Sequence, residues 1–263
     1  MPAMFVGHGN PMNTIVDSTY RRTWQALGKS LPRPAATLCI SAHWETDGCY
    51  VSGSQAPDTI HDFYGFPQAL FDVSYPAPGS PGLAQRVHDA LPDVLIDAQR
   101  GLDHGVWSVL LPMFPDADIP VVQLSLDRSK PAEFHYAMGR RLAFLRRCGI
   151  LIVASGNIVH SLRDVVWQEA ARYDWAIEFD ERIRDLIVTG NQDAIIHYEK
   201  LGEAARRSVP TNEHFLPLLY ILGMQQPEER LSFFNDSVSM GSLSMRSLLL
   251  SGAGEDGLFS QQM

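Results

Sequence analysis

Short apolar runs bounded by glycine, proline or polar turns recur along the chain. The clearest are Ala3-Met4-Phe5-Val6-Gly7, Ala36-Thr37-Leu38-Cys39-Ile40-Ser41-Ala42 and Ile150-Leu151-Ile152-Val153-Ala154-Ser155. Runs of this length read as buried strands, here over 3–7, 36–42 and 150–155. Further strands are expected near 48–53, 93–97, 120–125, 231–238 and 242–249. Helical spacing predicts helices near 18–28, 66–72, 81–91, 105–113, 131–147, 175–189, 191–201 and 212–223. Strands alternating with helices predict an α/β layer fold, with a central, mostly parallel but mixed sheet flanked by helices. The closing strand pair is expected to be antiparallel, joined across Met240-Gly241. No repeat, low-complexity tract or linker divides the chain, so one domain is expected over 1–250. Residues 251–263, opening Ser251-Gly252-Ala253-Gly254, read as a loose tail.

Composition narrows the class. With 45% apolar and 19% charged residues, the 263-residue chain can build a sizeable core. A net charge of −9 and scattered arginine pairs supply no basic stripe for nucleic acid or an anionic membrane. Cys39, Cys49 and Cys148 are odd in number and lack a Cys-x-x-Cys spacing, so reduced thiols are expected rather than a disulfide framework. No charged leader precedes the first strand, and no apolar stretch approaches the roughly 18 residues of a membrane span. A soluble, cytoplasmic protein is the expectation; oligomeric state is left open.

The histidines carry the chemistry. His8, His43 and His160 each follow an apolar run, and His214 opens the helical stretch Thr211-Asn212-Glu213-His214-Phe215-Leu216-Pro217. In open α/β sheets ligands bind beyond the carboxyl ends of the strands, so these imidazoles could converge on one point, as a metal site requires. Glu213 and His214 point about 100° apart on a helix. Only one can face a given metal, and the apolar spacing of Leu218, Ile221 and Leu222 favours His214. His104, in Asp103-His104-Gly105-Val106-Trp107, stands at a helix start suited to a developing anion. His88, His135 and His197 have polar neighbours and read as surface residues. His61 lies in the aromatic, proline-rich segment 55–80, where a substrate contact and an ordinary loop hydrogen bond are both open readings. That segment could wall a pocket for a planar ligand or pack its aromatics on the sheet edge. There is no Gly-x-Gly-x-x-Gly helix start, Walker loop, His-Glu-x-x-His or Gly-x-Ser-x-Gly.

These segments together resemble the LigB-type (class III) extradiol ring-cleaving dioxygenases, in particular the 4,5-DOPA dioxygenase subfamily. The likeness is carried by Gly7-His8-Gly9-Asn10-Pro11-Met12, Ser41-Ala42-His43-Trp44, His61-Asp62-Phe63-Tyr64-Gly65-Phe66-Pro67, Tyr75-Pro76-Ala77-Pro78-Gly79, Asp103-His104-Gly105-Val106-Trp107, Ser155-Gly156-Asn157-Ile158-Val159-His160 and Glu213-His214-Phe215-Leu216-Pro217-Leu218. The resemblance implies one metal held by His8, His43 and His214. It implies His160 as the acid/base residue, close enough to serve as a fourth ligand in a resting site, and His104 beside the substrate or oxygen. The expected reaction opens a catechol such as DOPA with O2 to a semialdehyde. Many relatives use two histidines and a glutamate, the usual set for Fe(II); three histidines also suit Zn(II). Fe(II) is therefore expected for turnover, with Zn(II) able to fill the same site. Two rival readings are a zinc hydrolase that uses the same three histidines with His160 as proton shuttle, and a non-enzymatic scaffold of this fold, against which the intact set of five histidines counts.

Overall fold

In the computed structural model, which describes residues 1–252, the apolar runs face two cores at once. In β1 (Ala3–Gly7), Ala3 and Phe5 enter one core while Met4 and Val6 enter the other. β2 (Ala36–Thr46) and β6 (Ile150–Gly156) divide the same way, with Leu38, Ile40, Ile152 and Ala154 on the first face and Cys39, Leu151 and Val153 on the second. Burial on both faces is why these strands read as unbroken apolar runs rather than as an alternation.

The remaining strands of the main sheet are β3 (Cys49–Ser52), β4 (Val94–Asp97), β5 (Val121–Asp127), β7 (Arg230–Phe234) and β10 (Ser247–Ser251), giving the order β4-β3-β5-β2-β6-β1-β10-β7. The centre, β5-β2-β6-β1, is parallel. β10 and β7 add antiparallel strands at one edge, and β3 runs antiparallel to β5 near the other. The closing pair is antiparallel as expected, but Met240-Gly241 does not join it. Both residues have positive φ and turn a separate small hairpin, β8 (Val238–Ser239) with β9 (Leu243–Ser244). Ser251 closes β10, and most of the expected tail, 253–263, lies outside the described residues.

α1 (Thr19–Ser30), capped by Ser18, covers one face of the sheet with α4 (His104–Met113). A one-turn helix, α2 (Gln68–Phe71), lies in the aromatic segment on the same face. The other face carries α3 (Pro81–Ala90), α5 (Ala132–Leu142), α6 (Phe144–Arg147), α7 (Asp174–Val188), α8 (Gln192–Ile196), α9 (Glu203–Ser208) and α10 (Leu216–Met224). The expected 131–147 helix is interrupted at Ala143, and the 191–201 helix ends in a 3-10 turn over Tyr198–Leu201. α9 is too short to leave a periodic signal. Among the described residues no helix is long and apolar enough to cross a membrane.

Every residue of α10 is buried, so this helix needs apolar or satisfied neighbours all round. His135 is one of them, which corrects its surface assignment. It shares the α5 stripe of Ala132, Met138, Gly139 and Leu142, is fully buried, and places Nδ1 3.1 Å from the Tyr220 hydroxyl of α10. Burial lowers its pKa to about 4. His88 and His197 are half-buried; His88 Nδ1 meets the Val94 carbonyl at 2.8 Å, and His197 Nε2 stands 3.1 Å from Glu133.

A buried ion pair ties the hairpin region to the helices. Arg246 Nε donates to Asp180 Oδ2 of α7 at 2.8 Å, and the Ser244 hydroxyl donates to Asp180 Oδ1. Reaching Asp180 breaks the expected 242–249 strand into β9 and β10. Asp180→Ala would strand a buried guanidinium, a loss expected to cost roughly 3–5 kcal/mol. Urea unfolding of the variant measures it, and a change below about 1 kcal/mol would show the pair to be dispensable.

Candidate metal centre

Strand register gathers the histidines. Gly7 of β1 pairs with Gly156 of β6, and Ser41 of β2 with Ser155, so three parallel strands reach the carboxyl edge level with one another. His8 leaves β1 there, its N–H donating to the Gly156 carbonyl at 3.1 Å. β2 does not stop at Ala42 as expected but continues to Thr46, and its register with β5 shifts between Ile40 and Glu45. His43 lies in that irregularity, a device that re-aims a side chain.

A polar network holds the break. The His43 N–H donates to Ser41 Oγ at 3.1 Å, and Ser41 Oγ donates to Asp103 Oδ1 at 2.7 Å. Arg100 Nη2 donates to Asp103 Oδ2 at 2.8 Å and to the His43 carbonyl at 3.3 Å, while Gln123 Nε2 donates to Asp103 Oδ2. Asp103 is fully buried; its pKa is raised by burial and by Asp62. A methyl group on Gly105 would strike both Ser41 Oγ and the His43 ring, so α4 approaches this closely only through a glycine.

His214 sits in the turn before α10 rather than in its first helical turn. Asn157 N–H donates to the His214 carbonyl at 2.9 Å, and a Cβ on Gly156 would run into that same carbonyl. Because α10 is apolar all round, its periodicity does not select His214 over Glu213; the pair divides the work instead. Glu213 Oε1 lies 3.0 Å from His214 Nδ1, leaving Nε2 buried with no hydrogen-bond partner. A carboxylate behind a ligating imidazole fixes its tautomer and raises its basicity.

The rings of His8, His43 and His214 have centroids 4.9–5.3 Å apart, and each offers a nitrogen within 4.8 Å of the others. His8 Nδ1 is anchored on Ser155 Oγ at 2.9 Å, and its Nε2 stands 3.2 Å from His43 Nε2. Two nitrogens each about 2.0–2.1 Å from one tetrahedral ion stand about 3.3 Å apart. That spacing and the orphaned His214 Nε2 fit a single cation. His160 stacks on His214, centroids 3.4 Å apart and planes 8° apart, with its N–H bonded to the Ser208 carbonyl. His104 opens α4 with its ring 3.9 Å from that of His43. All five histidines singled out in the sequence therefore meet here.

His61 does not join them. Its Nε2 meets the Val73 carbonyl at 2.9 Å, and its ring packs with Phe63, Phe71 and Trp107. Of the two readings of the aromatic segment, packing against the sheet is the one seen. Tyr75 and Leu70 bury in the core, while Phe63 meets His104 edge-on at 5.5 Å. The sequence reading missed Asp62, whose Oδ1 accepts from the His104 N–H at 3.0 Å and stands 2.9 Å from its Nδ1. It also missed the supporting parts of Ser155, Glu213 and Asp103. The one available signal for Asp62 was a carboxylate beside a histidine in a long ordered loop.

The family described as "Catalytic LigB subunit of aromatic ring-opening dioxygenase" matches residues 2–242. The chain belongs to this LigB family. It is 50% identical over 255 residues to the "4,5-DOPA dioxygenase extradiol" of Escherichia coli (strain K12), covering 94% of each chain. The Beta vulgaris protein of the same description is 36% identical, with 91% of this chain and 92% of that one covered. A crystal structure of an Escherichia coli K12 protein superposes with a TM-score of 0.84 at 46% identity, over 95% of this chain and 100% of that one. This LigB-family chain is an extradiol dioxygenase, an enzyme that works on a small molecule and O2, and its fold is the single α/β domain expected.

Burial makes the centre uncharged. His8 and His214 have pKa values well below 6.5 through desolvation and then through neighbouring histidines, and His43 is lowered by desolvation and His104 against the opposing pull of Asp62. His160 falls to about 4 for the same first reason, with His104 adding to it. Burial opposes ionisation of Asp62, but the hydrogen bond and charge of His104 and the charge of His43 prevail and hold it at about 2. As pH falls below about 6.5 the unfolded chain therefore takes up protons before the folded one, and stability drains away toward pH 4. Asp62, whose pKa is also lowered, contributes in the same sense, but its share is lost only as pH falls from about 3.8 toward 2, outside that window. Urea midpoints of metal-free protein are expected to be clearly lower at pH 5 than at pH 7; equal midpoints would contradict the neutral, buried centre.

Proposed function

We propose that the protein cleaves a catechol ring beside its two hydroxyls, with one divalent metal held by the Nε2 atoms of His8, His43 and His214. The observation that carries this is the convergence of three uncharged imidazoles, two buried and that of His43 partly buried, with no carboxylate among them. Such a set leaves the full charge of a dication uncompensated, and a chelating catecholate supplies the missing negative charge. Fe(II) is the metal proposed for turnover, and the same donors suit Zn(II). When bound, the metal supplies a Lewis acid that acidifies the catechol hydroxyls and a common point for the ring and O2.

The chain's own groups do the rest. His160 is neutral near pH 7 and lies against His214, so it can accept a catechol proton and return it as the ring opens. His104 is held through Nδ1 by Asp62, leaving Nε2 to accept a proton from the substrate and, once it carries one, to meet negative charge that develops there. Phe63, edge-on to His104, offers an apolar wall to a planar ring. The description of the relatives, 4,5-DOPA dioxygenase extradiol, supports DOPA or a similar catechol as substrate, and the product proposed is a semialdehyde. The free thiols of Cys39, Cys49 and Cys148 fit a cytoplasmic setting.

Anaerobic loading with Fe(II), addition of DOPA or caffeate and admission of air should give oxygen uptake with a yellow product. No uptake across a panel of catechols would refute the reaction. His160→Ala should keep its metal and lose turnover by a factor on the order of 10²–10⁴. His43→Ala should lose the metal itself. Metal analysis alongside the assay checks both, and the reverse pattern would overturn the assignment.

A further inference from the structure

Asp62 reaches two histidines of the centre with one carboxylate. Oδ1 accepts the His104 N–H and faces His104 Nδ1, while Oδ2 lies 3.5 Å from His43 Nδ1. The loop that carries it is pinned close by. Ile60 N–H donates to the Leu102 carbonyl at 2.7 Å, Leu102 N–H to the Asp58 carbonyl at 2.8 Å, and Trp107 Nε1 to the Ile60 carbonyl at 2.8 Å. The carboxylate is thus delivered by a braced backbone two residues away.

We propose that Asp62 is a positioning residue that sets the tautomer of His43 and, through it, the metal affinity of the centre. The inference rests on His43 being a metal ligand, and not on the ring-opening reaction. An ionised carboxylate only accepts hydrogen bonds. Facing Oδ2, neutral His43 keeps its proton on Nδ1, so Nε2 presents a bare lone pair to the point shared with His8 and His214. The hydroxyl behind His8 sets nothing of the kind, because Ser155 Oγ can donate or accept. When no metal is bound, the 3.2 Å contact between the two Nε2 atoms then has His8 donating to His43, with Ser155 donating to His8 Nδ1. A metal takes the place of that one proton.

Asp62→Asn is an informative variant because its orientation is decided in advance. The His104 backbone N–H is a fixed donor, so the amide oxygen must occupy the Oδ1 place. The amide NH2 then faces His43 Nδ1. A donor there drives the His43 proton to Nε2, where it blocks the metal. The volume is nearly unchanged and the loop keeps its bracing, so packing alone gives no reason for a loss.

The test is Zn(II) affinity by chelator competition, together with nitrogen-15 NMR of the histidine rings in metal-free protein. Wild type is expected to show the Nδ1–H tautomer at His43. D62N is expected to show Nε2–H and to bind Zn(II) about 10–100-fold more weakly. Unchanged affinity in folded D62N, or a loss with no tautomer change, would overturn the proposal. If D62N does not fold, the wild-type spectrum still decides: an Nε2–H tautomer at His43 contradicts it and Nδ1–H supports it. Neither readout uses catechol or oxygen, so a protein that behaves this way yet never opens a ring would refute the reaction alone. Full Zn(II) affinity in His43→Ala would instead remove the ligand on which the inference rests.

Discussion

Three imidazole nitrogens held together out of water are the constraint around which the carboxyl edge of the sheet is organised. Desolvation keeps these rings neutral, so their lone pairs are free, but it leaves the inward nitrogens with nothing of the protein's own to satisfy them all. A buried polar atom without a partner costs on the order of 1–3 kcal/mol. Each ring is therefore secured from behind, His8 by Ser155, His214 by Glu213, and His43 by the Asp62 contact and by the Asp103 network at its backbone. Gly156 and Gly105 allow the backbones to come close enough for this to work.

The placement of negative charge follows from the same constraint. Asp62, Glu213 and Asp103 all stand near the centre, yet each is engaged by N–H or O–H donors or by imidazole Nδ1 atoms and so lies behind the ring nitrogens that converge. Asp62 with His43 and His104 also forms a cluster of metal-ligand spacing, but its Oδ1 is already committed to His104. A carboxylate used this way tunes basicity and orientation without cancelling the charge of a bound dication. On the proposed reading, that leaves the anionic place for an oxygen-rich, chelating substrate.

What the sequence revealed and what it hid divide along a physical line. The central strands were legible because burial on both faces leaves uninterrupted apolar runs, and the histidines at their ends were legible because parallel strands finish together. The supporting residues were not, since their roles depend on contacts between distant segments: Asp62 meets His104 across 42 positions, and Ser155 meets His8 across 147. His135 was misjudged because polar neighbours in sequence conceal a stripe that faces a wholly buried helix. His214 was placed in a helix that begins two residues later, because the Asn157 and Gly156 contacts hold it in a turn. The extension of β2 past Ala42 escaped notice for a similar reason, as a register shift leaves no periodic trace.

The most direct measurement is a crystal structure of Zn(II)-loaded protein with anomalous scattering recorded at the zinc edge. The account predicts one peak per chain, about 2.0–2.1 Å from the Nε2 atoms of His8, His43 and His214, with Asp62 and Glu213 hydrogen-bonded behind the rings. A peak coordinated directly by Asp62, or two peaks of equal height, would contradict it.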